Sequence, residues 1–226
     1  MDTSGHRMEI AGRNILVFPS DVGGALMVVL NTFENEGKDV HDAVISMTEM
    51  PFTLVCVQID DWNSSMSPWS ASIGMKGGDF TGAADIYLDD LIGIIIPSIT
   101  ESLGIQPGYD VIAGYSMAGL FALHSLFCTD LFSRAVCASG SLWFPGIVDY
   151  IDRNDMKGKV DRVVLSLGDR EHRTRNVYMK EVLDNTQRIV DILSERCDDV
   201  RFRMDEGNHF NDPVGRIAKG IVSILE

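Results

Sequence analysis

"DVIAGYSMAGLFAL", residues 110–123, sets one serine between two apolar runs of different character. Asp110 to Tyr115 reads as a strand buried on both faces, and Met117 to Leu123, rich in Ala and Leu, reads as a buried helix. A strand that turns into a helix at a serine needs small residues two before and two after it, so that the elements can approach; this is the requirement of a nucleophile elbow, where the hydroxyl stands exposed on a strained turn. Gly114 and Ala118 meet it, with alanine where glycine is usual and Gly119 directly after. A helix N-cap would also explain a serine here. The strand before and helix after are the context that favours the elbow.

Outward from this corner, strand-like and helix-like segments alternate along the chain, the pattern of an α/β protein with a mostly parallel central sheet flanked by helices. "NILVFPS", "ALMVVLN" and "FTLVCVQID" precede the elbow as strands; "SRAVCASGS", "DRVVLSLGD" and "VRFRMDEGNHF" follow it. "AADIYLDDLIGIIIPSITESLG" reads as a helix stopped by Gly104 and kinked near Pro97, and "NVYMKEVLDNTQRIVDILSERC" as a long helix with Val182, Ile189 and Leu193 on its core stripe. Between strand 52–60 and the first of these helices lie about twenty residues without periodicity, "DWNSSMSPWSASIGMKGGDFTG", long enough to be expected as a functional loop that gates or lines a site.

At 226 residues and 45% hydrophobic, with no linker-like tract, the chain is expected to form one domain over 1–226. No stretch has the layout of a signal peptide or the roughly 18 apolar residues of a membrane span, which points to a cytoplasmic protein. Cys56, Cys128, Cys137 and Cys197 lack metal or redox spacing and read as reduced packing residues. A net charge of −14 with dispersed basic residues excludes a phosphate-binding stripe, so no nucleic-acid partner is expected.

A serine hydroxyl becomes a useful nucleophile when a base takes its proton, so the elbow calls for a histidine downstream and an acid between the two. His6, His41, His124 and His172 fall in a polar terminus, an early helix, the helix after the elbow and a charged turn; His209 alone follows a late strand, in "DEGNHFND". The acid belongs at the end of "RVVLSLG", where Asp169 and Glu171 compete and residue chemistry does not separate them. Trp62, Trp69 and Trp143 lie in loops leaving strand ends, where ligands bind in open α/β sheets, and are expected to line a pocket.

"GYSMAGLFAL", "ASGSLWFPG", "SLGDREHRTRN" and "EGNHFND" together resemble the esterase D-like branch of the α/β-hydrolases, which includes enterochelin and feruloyl esterases and mycolyltransferases. The resemblance runs from about residue 25 onward. It implies an eight-strand-type sheet trimmed at the N-terminus, Ser116 as nucleophile and His209 as base. Members often carry the acid three residues after a glycine at the strand end, which selects Glu171, counted from Gly168, and leaves Asp169 as the alternate. Two backbone N–H groups should form the oxyanion hole. Met117, after the nucleophile, supplies one; by position Phe33 supplies the other, with Asn31-Thr32 standing where relatives have histidine-glycine. The expected activity is cleavage of a small-molecule carboxylic ester through an acyl-enzyme, without metal or cofactor and without a membrane partner. Acyl transfer by the same triad and a non-catalytic binding protein on this scaffold are the alternatives.

Overall fold

A computed structural model describes residues 5–74, 79–108 and 110–226. Residues 1–4, at the start of the segment read above for a leader, 75–78 of the long loop, and 109 lie outside the described residues.

The first two strands, β1 (His6–Ile10) and β2 (Arg13–Phe18), form a hairpin around Ala11 and Gly12, both at positive φ, as a two-residue turn between twisted strands requires. Then come β3 (Leu26–Thr32), α1 (Gly37–Met47), β4 (Phe52–Gln58), the short α2 (Trp62–Ser65) and a ribbon of β5 (Ser70–Ser72) and β6 (Asp79–Thr81). Helix α3 (Ala84–Asp90) passes through a π turn at 91–95 into α4 (Ile96–Leu103). The rest alternates: β7 (Asp110–Tyr115), α5 (Met117–Ser125), β8 (Phe132–Ala138), α6 (Ile147–Arg153), β9 (Arg162–Gly168), α7 (Val182–Ser194), β10 (Asp199–Asp205) and α8 (Pro213–Leu225).

Eight strands make one sheet in the order β1-β2-β4-β3-β7-β8-β9-β10, in which only β2 runs against its neighbours. The α/β sheet expected from the alternation is therefore present, and the implied N-terminal trimming removes no strand from it. The edge strand β1 is half polar and largely exposed, so "HRMEI" carries no apolar run that would betray it. Helices α1 and α8 cover one face, packing on Val28, Leu54, Val111 and Val136; α3 to α7 cover the other, over Val29, Val55, Ile112 and Val163. Each such side chain withdrawn from water stabilises the fold by about 1.5–3 kcal/mol.

Two helical readings shift. The 83–104 segment is broken by the π turn just before Pro97, which has no N–H to give the preceding turn. Helix α7 begins at Val182 rather than near 176, because the Asn176 side chain accepts the N–H groups of Tyr178 and Met179 and holds a turn instead. The segment read as a structureless loop carries α2 and the β5–β6 ribbon, pinned where the buried Ser67 hydroxyl accepts the Gly82 N–H at 2.9 Å. Among the described residues no helix is long and apolar enough to cross a membrane.

Candidate active site

Ser116 sits between β7 and α5 at φ 60°, ψ −122°, a conformation that an L-residue holds only when its surroundings impose it, at about 1–3 kcal/mol. The reason for glycine at 114 is steric: a methyl group there would lie 2.3 Å from the carbonyl of Ala118. Gly119 meets the Gly114 carbonyl and the Gly140 Cα at 3.1 Å from where its own Cβ would be. Strand and helix are therefore packed backbone to backbone beside the serine. Among the described residues the Met117 N–H, first in α5, has no acceptor.

Ser116, Glu171 and His209 lie just beyond the carboxyl ends of β7, β9 and β10. The Ser116 Oγ is 3.0 Å from His209 Nε2, and His209 Nδ1 is 2.7 Å from Glu171 Oε2. The carboxylate fixes the ring tautomer, with Nδ1–H donating to Glu171 and Nε2 left to accept from the serine. The second oxygen of Glu171 accepts from the Gly168 N–H at 2.7 Å and from Arg216 at 2.8 Å. Burial pushes the Glu171 carboxyl up, but the hydrogen bond and charge of His209, with the Gly168 N–H and Ser139, outweigh it and hold the group below its ordinary range. Asp169 faces elsewhere: it accepts the Gly207 N–H at 2.7 Å and pairs with Arg170.

Arg216, 1% exposed, also donates to Ser139 Oγ and to the Glu206 carbonyl, both at 2.9 Å. Tyr115, whose phenol burial pushes up, donates to the His209 carbonyl at 2.5 Å. The loop bearing the histidine is thus tied from both β7 and α8. Ser141 Oγ lies 3.3 Å from Ser116 Oγ, and its N–H donates to the Ser116 carbonyl at 2.9 Å.

A cleft of about 330 Å³ opens at Ser116 and His209, walled by Trp143, Met179 and Phe210 and rimmed by Arg170 and Arg173. Trp143 is where the sequence reading puts it. Trp69 is not: its indole N–H donates to the Pro145 carbonyl at 2.9 Å and its ring packs on Phe144 and Tyr150, away from the cleft. Trp62 meets Phe33 edge-on at 5.3 Å and does not line the cleft either. The Phe33 N–H expected for the oxyanion hole donates to the Glu36 side chain at 2.8 Å, as does the Glu34 N–H. The acidic loop thus satisfies its own backbone donors. Asn31, at the end of β3, accepts instead from the buried Tyr87 hydroxyl.

The family model described as "Putative esterase" matches residues 33–206. The chain belongs to this esterase family. The esterase is 24% identical over 187 residues to the "Uncharacterized protein YbbA" of Bacillus subtilis, a match covering 79% of this chain and 75% of that one. Among solved structures, the IroE-like serine hydrolase from Shewanella oneidensis is similar at 18% identity and a TM-score of 0.76, over 98% of this chain and 79% of that one. The siderophore hydrolase EstB from Aspergillus nidulans is similar at 16% identity and 0.78, over 100% and 95%. At these identities the structural likeness shows the fold alone, a mostly parallel sheet flanked by helices. Family membership makes the protein a carboxylic ester hydrolase.

The residues around the esterase's serine that sequence reasoning missed are Arg216, Ser139, Ser141 and Tyr115. Arg216 lies in an amphipathic helix where an arginine looks like solvent-facing charge. The two serines stand in "ASGSLW", whose crowding of small residues was the available signal.

Proposed function

We propose that residues 1–226 act as one serine esterase domain that cleaves a small-molecule ester through an acyl-enzyme. The observation that carries this reading is the chain of hydrogen bonds from Ser116 to His209 to Glu171 at a serine held with φ 60°. The Ser116 hydroxyl gives its proton to His209 Nε2 as Oγ adds to the ester carbonyl, and the imidazolium is stabilised by Glu171. His209 returns that proton to the departing alcohol, leaving the acyl group on Oγ. Water then attacks with His209 as base, releases the acid and restores the serine. The Met117 N–H is the oxyanion donor in this scheme; Phe33, engaged by Glu36, is not counted as one. Ser141 holds the nucleophile's rotamer.

The aromatic wall and the two rim arginines suit an ester with a flat or apolar group and a negative charge near it. Structural neighbours named as siderophore hydrolases make esters of that kind the first class to test. Four free thiols support a reducing, cytoplasmic setting.

A fluorophosphonate probe should label the wild type and not Ser116→Ala. The same substitution should lower hydrolysis of p-nitrophenyl acetate by several powers of ten, since triad members act as a unit. Undiminished hydrolysis in a folded Ser116→Ala protein would end the proposal.

A further inference from the structure

On the same helix as the elbow, His124 lies eight residues along α5 from Ser116, about 12 Å away. Its ring is 4% exposed and held between Trp69 and Tyr150, with centroids 6.4 and 5.3 Å distant. Two other groups converge on it. Asp85 Oδ1, from α3, is 2.8 Å from His124 Nε2; Cys128 Sγ, in the turn after α5, is 3.3 Å from the same nitrogen and 3.7 Å from the Asp85 oxygen. Cys128 is partly exposed and Asp85 faces solvent, so the cluster opens outward.

Cysteine, histidine and aspartate could also suggest a second nucleophile with its base and acid. The geometry denies it. In such a relay the acid and the nucleophile use opposite ring nitrogens, as Glu171 and Ser116 do at His209. Here the carboxylate contacts Nε2, and the thiol, over the ring face, lies nearer that same nitrogen at 3.3 Å than Nδ1 at 4.0 Å, with the Tyr150 hydroxyl 3.8 Å away. Neither group holds the far nitrogen as a relay would need, while one ligand atom from each of the three residues lies within 4.8 Å of the others, a set that suits a chelate once the side chains close on an ion. An ion with tetrahedral bonds of about 2.0–2.3 Å sets its donors roughly 3.3–3.7 Å apart. Two of the three separations already lie in that range, and the third widens by a small turn of the exposed Asp85.

We propose that Asp85, His124 and Cys128 form a binding site for a borderline-soft divalent cation of the zinc class, with the fourth position open to water. A thiol and an imidazole select against magnesium and calcium, which take oxygen donors. Binding replaces the thiol proton, which leaves to solvent, by a metal–sulfur bond. The ion would clamp α3 to the end of α5, on the face of the sheet that carries the elbow helix, without entering the esterase cleft. The two cysteines buried in the sheet, Cys56 and Cys137, play no part.

Cobalt(II) titrated into reduced, metal-free protein is the test. The expected result is thiolate-to-cobalt charge-transfer absorption with the visible bands of a tetrahedral site, saturating at one equivalent. Cys128→Ser should abolish the charge-transfer band, and Asp85→Asn should keep it but weaken binding about tenfold or more. Cys197→Ser, which removes the other partly exposed thiol, should change neither. Zinc at a hundredfold excess over Kd should raise the wild-type Tm by about 5 °C or more. p-Nitrophenyl acetate hydrolysis, a separate reading of Ser116, should stay at wild-type level in all three variants. Absence of the band in the wild type, its survival in Cys128→Ser, or its equal loss in Cys197→Ser would each overturn the site.

Discussion

Two residues apart in the chain, Asp169 and Glu171 serve different partners: one fastens the Gly207 N–H, the other the imidazole of His209. Glu171→Gln keeps the shape but removes the charge that stabilises the imidazolium, so kcat should fall by about 10²–10⁴. Asp169→Asn should leave most activity, and the reverse ranking in variants of equal Tm would move the acid to Asp169. The same glutamate has a pH signature. Its folded carboxyl titrates below the ordinary value of 4.5, so its stabilisation is complete above that value and is lost as pH falls through the lower, folded one. Urea unfolding should therefore show wild type and Glu171→Gln furthest apart near neutrality and converging in acid below pH 4.5; a constant gap would remove the charge from the explanation. Serine and histidine were legible because the elbow demands small neighbours and a downstream base. The choice between the carboxylates was not legible in residue chemistry, since both follow one strand and the direction of a turn separates them; the preference for Glu171 came from the resemblance, through its offset from Gly168. Phe33 was misread because a loop's own side chain, Glu36, competes for its N–H.

At the scale of elements, the β7–α5 corner brings two stretches of backbone close together at Gly114. Gly114→Ala would drive a methyl group into the Ala118 carbonyl, so the helix must shift and carry Ser116 with it. Activity should drop at least tenfold and thermal stability with it, by about 1–3 kcal/mol; a variant with wild-type kinetics and Tm would show the corner to be slack. The start of β7 holds the opposite kind of constraint. Burial pushes the Asp110 carboxyl up to about 6, and its Oδ1 finds no partner among the described residues. A raised folded pKa means that stability is lost as pH rises from the unfolded value of about 3.9 through 6. Asp110→Asn should thus be more stable than wild type at pH 8 by roughly 1–3 kcal/mol, with the gap closing below pH 4 in denaturant titrations. If the gap keeps its size in acid, desolvation is not its cause. Elements with continuous apolar runs were readable in the sequence. Those defined by one side-chain bond were not: the Asn176 turn, the Ser67 pin of the β5–β6 ribbon and the polar edge strand β1 depend on contacts that periodicity does not encode.

For the molecule as a whole, a net charge of −14 surrounds a cleft rimmed by Arg170 and Arg173. The distant field repels an anionic ester while the rim attracts it, and salt separates the two because it screens beyond about 10 Å at 0.1 M. Raising ionic strength from 0.01 to 0.15 M should lower KM for an anionic ester and leave that for a neutral one nearly unchanged. Equal response of both would mean that the overall charge does not reach the site. Arg216 links the site to the largest scale. The guanidinium that steadies Glu171 belongs to α8 and follows that glutamate by 45 residues. During synthesis on the ribosome, Ser116, Glu171 and His209 all emerge before it. A nascent chain stalled before residue 216 would hold Ser116, Glu171 and His209 but neither Arg216 nor the apolar face of α8 that covers Val136 and Val164, so the carboxylate's second partner and the cover of that sheet face arrive together, with the last element made.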